Sequence, residues 1–364
     1  MPAPNRLPGA QLGIAETREL PTFDGWRAVA ILLVLIDHFS LSGPPSLVNT
    51  VLGYGSRGVD VFFGISGFLI CNRLLSEERR YGDVSIKGFY TRRAFRILPV
   101  FLMFLLVIAC FPPVDWQAWR AALLLYRNYV WSPTEWSTRH FWSLAVEEHF
   151  YLIMPFLFVI AGRRRLSAFL SLATLLAVWS VIDAHFQLTH VLEMRFRTDY
   201  RMPAWLCGCA AAVIFAGSRP ILKRIPIPEI TIPVLALVFI ALEAVPKPAR
   251  FAFQAPLVPV MLISTVLHPA SWISRMLQIR PLAWIGKVSY GLYIWQQFFL
   301  TPGAHVLPVQ RFPLNAVMLI SVVAASFFWI ETPLIKLAHR LSRRSPAAPT
   351  LSSSSAGVPQ LKAD

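Results

Sequence analysis

About ten apolar stretches of roughly 20 residues, the length that spans a bilayer as a helix, constrain this chain more than any other feature of its sequence. Hydrocarbon offers no partner for backbone N–H and C=O groups, so such stretches fold as helices that satisfy these groups internally. Composition agrees, because 55% of the 364 residues are hydrophobic and 15% are charged, whereas soluble domains carry about 25% charged residues. The sequence therefore excludes a soluble globular protein and predicts an all-α fold, a polytopic transmembrane helix bundle.

The predicted spans are separated by Pro, Gly or clusters of charge, which helix ends tolerate. They cover 26–43, 51–70, 97–112, 141–161, 166–184, 203–217, 230–245, 251–268, 288–302 and 314–331. An eleventh apolar stretch, 116–130, is short and interrupted, so we expect an interfacial or re-entrant helix there. The sequence thus predicts about ten spanning helices.

Basic residues give the chain its predicted orientation. The formal net charge of +15 fits a membrane protein whose Lys and Arg residues collect beside the cytoplasmic leaflet. With both termini cytoplasmic, most of the 34 Lys and Arg residues fall on the inner side, and the most basic inner loop is predicted at 71–96. We predict a cytoplasmic N-terminal segment at 1–25, a transmembrane domain at 26–340 and a disordered cytoplasmic tail at 341–364, which is rich in Ser, Pro and Ala.

Ionisable side chains inside predicted spans are costly and point to function. The first are Arg27 and His38, eleven residues apart on the first span, which puts them on one helix face about 16 Å apart along the axis. A buried neutral imidazole can serve as a general base. The alternative is a hydrogen-bonded structural histidine, with Arg27 extending to the membrane surface.

The second span carries Asp60 and Ser66 beside a small-residue pattern formed by Gly64 and Gly67. Small residues at this spacing let another helix approach closely. Taken alone, this cluster is more typical of helix packing than of chemistry.

Two charged clusters open later spans. Arg92, Arg93 and Arg96, hereafter the arginine cluster, precede the third span and suit phosphate, because a guanidinium group presents its donors in a fork that matches phosphate oxygens. A topology signal would use the same residue type. Glu147 and Glu148 open the fourth span among aromatic residues, where the helix dipole also favours carboxylates.

Weaker signals lie on the later spans. Arg201 opens the sixth span, Tyr290, Tyr293 and Gln296 lie on the ninth, and Glu331 ends the tenth. Tyrosines at such depths are usually membrane-interface residues. We expect no bound metal, because the four cysteines lack the spacing of a metal site.

Taken together, these clusters resemble the acyltransferase-3 family of integral-membrane O-acyltransferases, which modify bacterial surface glycans and related sugars. The stretches that carry the resemblance are FDGWRAVAILLVLIDHF, GVDVFFGISGFLI, FYTRRAFRILPVF, FWSLAVEEHFYLIMP, VSYGLYIWQ and FFWIETPLIK. They occur in the family's order over nearly the whole chain. The resemblance implies a multi-pass protein of the bacterial cytoplasmic (inner) membrane, acetyl-CoA as the cytoplasmic donor substrate, no bound cofactor, and a sugar hydroxyl on the other side as acceptor.

The resemblance also implies roles for particular residues. Arg27 and His38 match the family's Arg-x10-His pair, Arg93 and Arg96 its Arg-x-x-Arg element, and Glu147 and Glu148 its paired acidic residues, with Asp60, Ser66, Arg201, Tyr290 and Tyr293 in support. In one departure, Gln296 stands where many relatives have His. We therefore expect no acid-base role for the helix that carries it.

These roles define a hypothesis for the mechanism. The arginine cluster holds the CoA phosphates, while Arg27 guides the pantetheine arm or the thioester into the bundle. His38, its charged form stabilised by Glu147 or Glu148, removes the proton of the acceptor hydroxyl as it attacks the thioester carbonyl. A covalent acyl-histidine or acyl-serine relay, with Ser66 as a remote candidate, is the alternative.

Two other classes of protein stay open at this point. A transporter or flippase for a glycan or small molecule would use the buried charges as a substrate path, although no repeats or paired interrupted helices support it. A scaffold that binds anionic lipid would use the basic segments. For an acyltransferase, a lipid-linked exopolysaccharide repeat of the xanthan type is the favoured acceptor, while peptidoglycan, O-antigen, a lipo-chitooligosaccharide and a macrolide sugar stay open. Without an appended hydrolase-like domain, we expect transfer to be completed within the membrane domain.

Overall fold

The fold is seen in a computed structural model that describes residues 20–41, 55–111, 114–130, 136–189, 196–222, 224, 229–242, 245, 247–301 and 307–343. Every regular element within these residues is a helix, as the sequence predicted. The predicted N-terminal segment at 1–25 and the predicted tail at 341–364 lie mostly outside the described residues.

We number the α-helices in chain order. They are α1 (Phe23–Leu41), α2 (Gly55–Tyr81), α3 (Ile86–Ala109), α4 (Trp116–Leu123), α5 (Phe141–Ala161), α6 (Arg165–Phe186), α7 (Thr198–Leu222), α8 (Thr231–Ala241), α9 (Lys247–Gln254), α10 (Leu257–Leu267), α11 (Trp272–Leu277), α12 (Arg280–Lys287), α13 (Ser289–Phe299), α14 (Leu314–Ser326) and α15 (Thr332–Leu341). A 3-10 turn, Gly162–Arg164, joins α5 to α6.

Five helical runs in the described chain are long and apolar enough to cross a membrane. They are Arg57–Tyr81, Phe141–Phe186, Thr198–Ser218, Ala249–Leu267 and Leu314–Leu341. Large apolar side chains are exposed on several of them, including Ile160 at 83% and Trp329 at 79%. A surface of this kind is stable in contact with lipid rather than water. The chain is therefore an α-helical, multi-pass membrane protein.

The basic segment 71–96 is not a loop, contrary to the prediction. The second helix continues to Tyr81 and the third begins at Ile86 with Ser85 as its N-cap, so only the turn 82–85 connects them. Apolarity marks where a helix lies in hydrocarbon, whereas Arg and Glu are good helix formers that extend the helix beyond it. The arginine cluster consequently lies on the first turns of α3, with a fixed geometry.

Two other predicted spans are shorter or broken. The stretch 251–268 divides into α9 and α10 on either side of Ala255 and Pro256, and the helix within 288–302 ends at Phe299. The interrupted stretch 116–130 forms the short α4, followed by a 3-10 turn at Arg127–Tyr129.

Glycines bring α2 and α7 into close contact at the centre of the bundle. A Cβ atom added at Gly67 would overlap the carbonyl of Trp205, and one at Gly208 would overlap the carbonyl of Gly64. The close helix approach that the sequence predicted at Gly64 and Gly67 is therefore confirmed. It fixes α2 against the helix that carries Arg201.

A π-helical turn, Phe327–Glu331, joins α14 to α15. Such turns hold one more residue than an α-helical turn and recur at functional sites. Here Glu331 is buried and Ser326 Oγ donates to its Oε1 at 3.4 Å, whereas Phe328 and Trp329 are exposed. The turn thus directs a carboxylate into the bundle and two aromatic rings away from it.

Candidate active site

A basic pocket lies where α2, α3 and α15 meet. It is a cavity of about 50 Å³ lined by the arginine cluster together with Arg73, Phe89, Ile335, Ala338 and His339. Four guanidinium groups around one small cavity match the oxygen atoms of phosphate groups. Sequence reasoning missed Arg73 and His339 as members of this pocket, because they lie on helices other than the one that carries the arginine cluster.

Glu77 holds one side of the basic pocket in place. Its Oε2 accepts from Arg92 Nη2 at 2.8 Å, and its Oε1 accepts from the backbone N–H of Ser85 at 3.0 Å. Burial lowers the pKa of Arg92, and the neighbouring Glu77 carboxylate partly offsets this. Arg92 is therefore tied to α2, which leaves the remaining arginines better suited to contact a ligand.

Glu147 connects α2 with α5 next to the basic pocket. Its Oε1 accepts hydrogen bonds from Ser66 Oγ at 3.3 Å and from the hydroxyl of Tyr151. The guanidinium of Arg93 lies over the Tyr151 ring, 4.8 Å from its centroid. Glu148 Oε1 is buried and has no hydrogen-bond partner among the described residues. Glu147 is thus held by its neighbours, while Glu148 has an oxygen available.

Arg27 lies at the basic-pocket end of α1. Its Nη1 is 3.6 Å from Asp24 Oδ1, and it is close enough to Arg93, Arg96 and Tyr151 to interact with them electrostatically. This position is compatible with a group that passes from the basic pocket into the bundle. The role predicted for Arg27 stays a prediction.

The tyrosines of α13 bond inside the protein rather than at a membrane interface. The Tyr290 hydroxyl donates to the carbonyl of Ile97 at 2.7 Å. The Tyr293 hydroxyl donates to the carbonyl of His140 at 2.9 Å and lies 2.5 Å from Ser143 Oγ. These hydrogen bonds connect α13, which packs against α1, to α3 and to the start of α5.

His38 is oriented by Gln296, which lies on α13. The distance from His38 Nδ1 to Gln296 Oε1 is 3.1 Å. Because an amide oxygen only accepts, Nδ1 carries the proton and the basic lone pair is on Nε2, the tautomer that a general base needs. The ring of Trp136 packs edge-on against the imidazole, with 5.3 Å between centroids.

The identity of this partner differs from what the sequence suggested. We expected Glu147 or Glu148 to stabilise His38, but Glu147 is bonded to Ser66 and Tyr151. Gln296 cannot titrate, so it acts on His38 as a positioning group, a role that sequence reasoning missed.

Asp60 forms a buried ion-pair cluster between α2 and α7. Its Oδ1 accepts from Arg201 Nη1, and its Oδ2 lies 3.6 Å from Arg57 Nη1. The guanidinium of Arg201 also lies over two rings, 4.1 Å from the centroid of Phe251 and 5.1 Å from that of Trp142. The sequence singled out Asp60 and Arg201 separately but gave neither their pairing nor the part of Arg57.

The structure therefore gathers the predicted residues into connected groups. The basic pocket and Arg27 lie at one end of α1, Glu147 adjoins them, and His38 with Gln296 lies about 16 Å further along the helix. In the part of the chain that the structure describes, no group of three or more His, Cys, Asp or Glu side chains could hold a metal ion. The arrangement offers an anion site and an oriented base, which suits proton abstraction next to a phosphate-bearing donor.

Comparison with known proteins also points to an acyltransferase. The model of a family described as an acyltransferase domain matches residues 20–331. The chain is 31% identical over 360 residues to the peptidoglycan O-acetyltransferase OatA of Listeria monocytogenes, covering 87% of this chain and 56% of that protein. It is 28% identical over 357 residues to the O-acetyltransferase OatA of Staphylococcus aureus, covering 88% and 58% respectively. The chain thus spans little more than half the length of these relatives, and no solved structure matches it.

Proposed function

The chain belongs to the acyltransferase-3 family, and from this premise we propose that it is a membrane O-acetyltransferase that moves an acetyl group from acetyl-CoA to a sugar hydroxyl of a bacterial surface glycan. The observation that carries the proposal is the pairing of two sites along α1. A basic pocket suited to phosphate lies at one end, and His38, whose Nδ1 is held by Gln296, lies at the other.

The proposed reaction follows from this pairing. The basic pocket holds the phosphates of acetyl-CoA, and the pantetheine arm passes Arg27 towards His38. Nε2 of His38 takes the proton of the acceptor hydroxyl as its oxygen bonds to the thioester carbonyl carbon. The carbon–sulfur bond then breaks, and the CoA thiolate takes the proton back from His38.

We also propose the membrane arrangement that this route requires. The chain would form about ten spanning helices in the bacterial cytoplasmic membrane, with both termini and the basic pocket on the cytoplasmic side. The distribution of Lys and Arg supports this orientation. Acetyl-CoA then reaches the pocket from the cytoplasm, and a lipid-linked or nascent polysaccharide reaches His38 from the opposite side.

Two acceptors belong in the test of this function. The sequence favours a lipid-linked exopolysaccharide repeat, and the name of the Listeria monocytogenes relative supports peptidoglycan as the acceptor to try first. The purified chain, reconstituted in lipid nanodiscs, is incubated with acetyl-labelled acetyl-CoA and either peptidoglycan strands or the exopolysaccharide repeat. We expect label in the glycan as an ester that mild alkali releases.

The basic pocket provides a matched pair of variants for this assay. Arg93→Ala removes a guanidinium from the pocket, whereas Arg80→Ala removes an exposed one from the last turn of α2 outside it. A hydrogen bond to a charged group contributes about 1.5–3 kcal/mol, so we expect Arg93→Ala to raise the Kd for acetyl-CoA about 10- to 100-fold. Arg80→Ala should leave it unchanged. Equal effects of the two variants on the Kd would mean that the arginine cluster serves as a topology signal and not as a binding site. Glycan transport across vesicles without acetylation would favour the transporter.

A further inference from the structure

Two buried hydrogen-bond donors beside His38 have no partner among the described residues. Gln296 is fully buried, and its Nε2 donates to nothing while its Oε1 lies at His38. His140 is 3% exposed, and neither of its ring nitrogens has a partner at normal hydrogen-bond geometry, although the backbone of Ile294 and the side chain of Gln297 lie close to the ring. Every imidazole carries at least one N–H. Buried donors in native proteins are nearly always satisfied, so a shared lack of partners at one place calls for a ligand.

The turn that carries His140 is docked onto α13 next to Gln296. Trp136 Nε1 donates to the carbonyl of Gln297 at 3.1 Å, and the backbone N–H of His140 donates to Gln297 Oε1 at 2.9 Å. The Trp136 ring contacts the His38 ring, and His38 is close enough to His140 to interact with it electrostatically. Both unpartnered donors are therefore held around the proposed base.

The backbone groups around His140 already have hydrogen-bond partners. The N–H groups of Phe141, Trp142 and Ser143, which open α5, donate to carbonyls of the preceding turn. The carbonyl of His140 accepts from Ser143 Oγ and from the Tyr293 hydroxyl. The start of α5 thus offers no amide to a substrate from these three positions, while the His140 backbone is fixed from two sides.

We propose that the Gln296 amide and the His140 imidazole form the oxyanion-binding half of the site. This inference rests on the proposed acetyl transfer. As the acceptor oxygen bonds to the thioester carbon, His38 Nε2 takes its proton and the carbonyl electron pair moves onto the carbonyl oxygen. That oxygen accepts an N–H from Gln296 and one from His140. When the carbon–sulfur bond breaks, the pair returns to the carbonyl and the thiolate takes the proton from His38.

His140 acts in this step as a neutral donor. Its apolar surroundings include Phe141 and Phe104, with ring centroids 4.1 Å and 5.4 Å from its own. Burial of this kind disfavours a charged imidazole, and a neutral imidazole can polarise a carbonyl without giving up its proton. His38 therefore carries the transferred proton, and His140 keeps its own N–H proton throughout the step.

Replacing Gln296 by Glu separates the two roles that Gln296 could have. Gln296→Glu keeps an oxygen for His38 Nδ1 but removes both amide hydrogens. If Gln296 only orients His38, a carboxylate there would support a base at least as strong, and kcat would stay or rise. We expect kcat for acetyl transfer to fall about 100- to 1,000-fold, the usual effect of losing one oxyanion donor.

His140 has its own matched pair of variants. His140→Gln and His140→Met introduce side chains of similar length, of which only the glutamine carries N–H groups. We expect His140→Met to lower kcat about 100- to 1,000-fold, and His140→Gln to retain at least about ten times the rate of His140→Met. Equal rates for the two variants would overturn the donor role of His140, because a purely structural role would not depend on an N–H.

The wild-type chain and acetyl-CoA binding complete the experiment. All variants should bind acetyl-CoA with the wild-type Kd, because the basic pocket lies at the other end of α1, and this binding identifies folded protein. If Gln296→Glu does not bind, the two His140 variants decide. No acetyl transfer by the wild-type chain would contradict the proposed function itself, whereas wild-type rates in Gln296→Glu and His140→Met would contradict only the oxyanion site.

Discussion

Replacing Asp60 by Asn tests how strongly the buried ion-pair cluster stabilises the bundle. The substitution keeps the shape of the side chain but removes the charge that faces Arg201 and Arg57. The paired side chains are between 3% and 8% exposed, so water cannot solvate the arginines in its place. Removing one partner of a buried pair costs about 3–5 kcal/mol, because a charge stays buried without its compensation.

The aromatic contacts of Arg201 set where in this range the loss falls. Phe251 and Trp142 keep the guanidinium in a cation–π contact, and each such contact contributes about 0.5–2 kcal/mol. We therefore expect Asp60→Asn to lower the free energy of unfolding by about 3 kcal/mol, at the low end of the range. The measurement is an SDS titration of purified protein in mixed micelles, followed by tryptophan fluorescence.

Two further variants make this expectation refutable. Asp24→Asn removes a carboxylate that lies 3.6 Å from an arginine but is 34% exposed, so its loss should be under about 1 kcal/mol. The double variant Asp60→Asn with Arg201→Gln should be more stable than Asp60→Asn alone, since it removes the buried charge as well. An effect of Asp60→Asn no larger than that of Asp24→Asn, or a double variant as unstable as the sum of its parts, would refute the reasoning.

Three other predictions address the base, the relay and the helix contact. His38→Ala should lower acetyl transfer at least about 100-fold with an unchanged Kd for acetyl-CoA and normal membrane insertion; full acetylation would contradict a general base. Ser66→Ala removes one hydrogen bond to Glu147 and should cost less than about tenfold in rate, whereas complete loss would favour the acyl-serine relay. Gly67→Ala forces a methyl group onto the backbone of α7 and should cost about 1–3 kcal/mol of unfolding free energy. Gly217→Ala, which meets nothing within 4 Å, is its control in the same titration.

The fold class and the helix contact could be predicted because they depend on local pattern. Apolar stretches of spanning length dictate helices whatever they pack against. The spacing of Gly64 and Gly67 likewise indicates a close approach without saying which helix approaches. The ends of the helices were harder to predict, because hydropathy reports only the part of a helix that lies in hydrocarbon. The basic residues on either side of 82–85 continue the helices beyond that part.

The partners within the candidate site could not be predicted for a different reason. Each is a pairing between distant parts of the chain, such as His38 with Gln296 or Arg92 with Glu77, and one sequence does not report contacts. An uncharged amide such as Gln296 also does not stand out in a sequence as a partner for a catalytic base, because it neither titrates nor carries a charge. Arg57 is the exception, since it stands one helical turn before Asp60, and helical spacing alone would have paired them.

The π-helical turn Phe327–Glu331 sets the rotation of everything that follows it. If the same residues formed α-helical turns instead, α15 would be turned by about 100° about its axis. Ile335, Ala338 and His339, which form one wall of the basic pocket, would then face another neighbour. A change in backbone geometry that touches no pocket residue would thus remove a pocket wall. The π-helical geometry of this turn is as much a part of the binding site as the identity of the arginines.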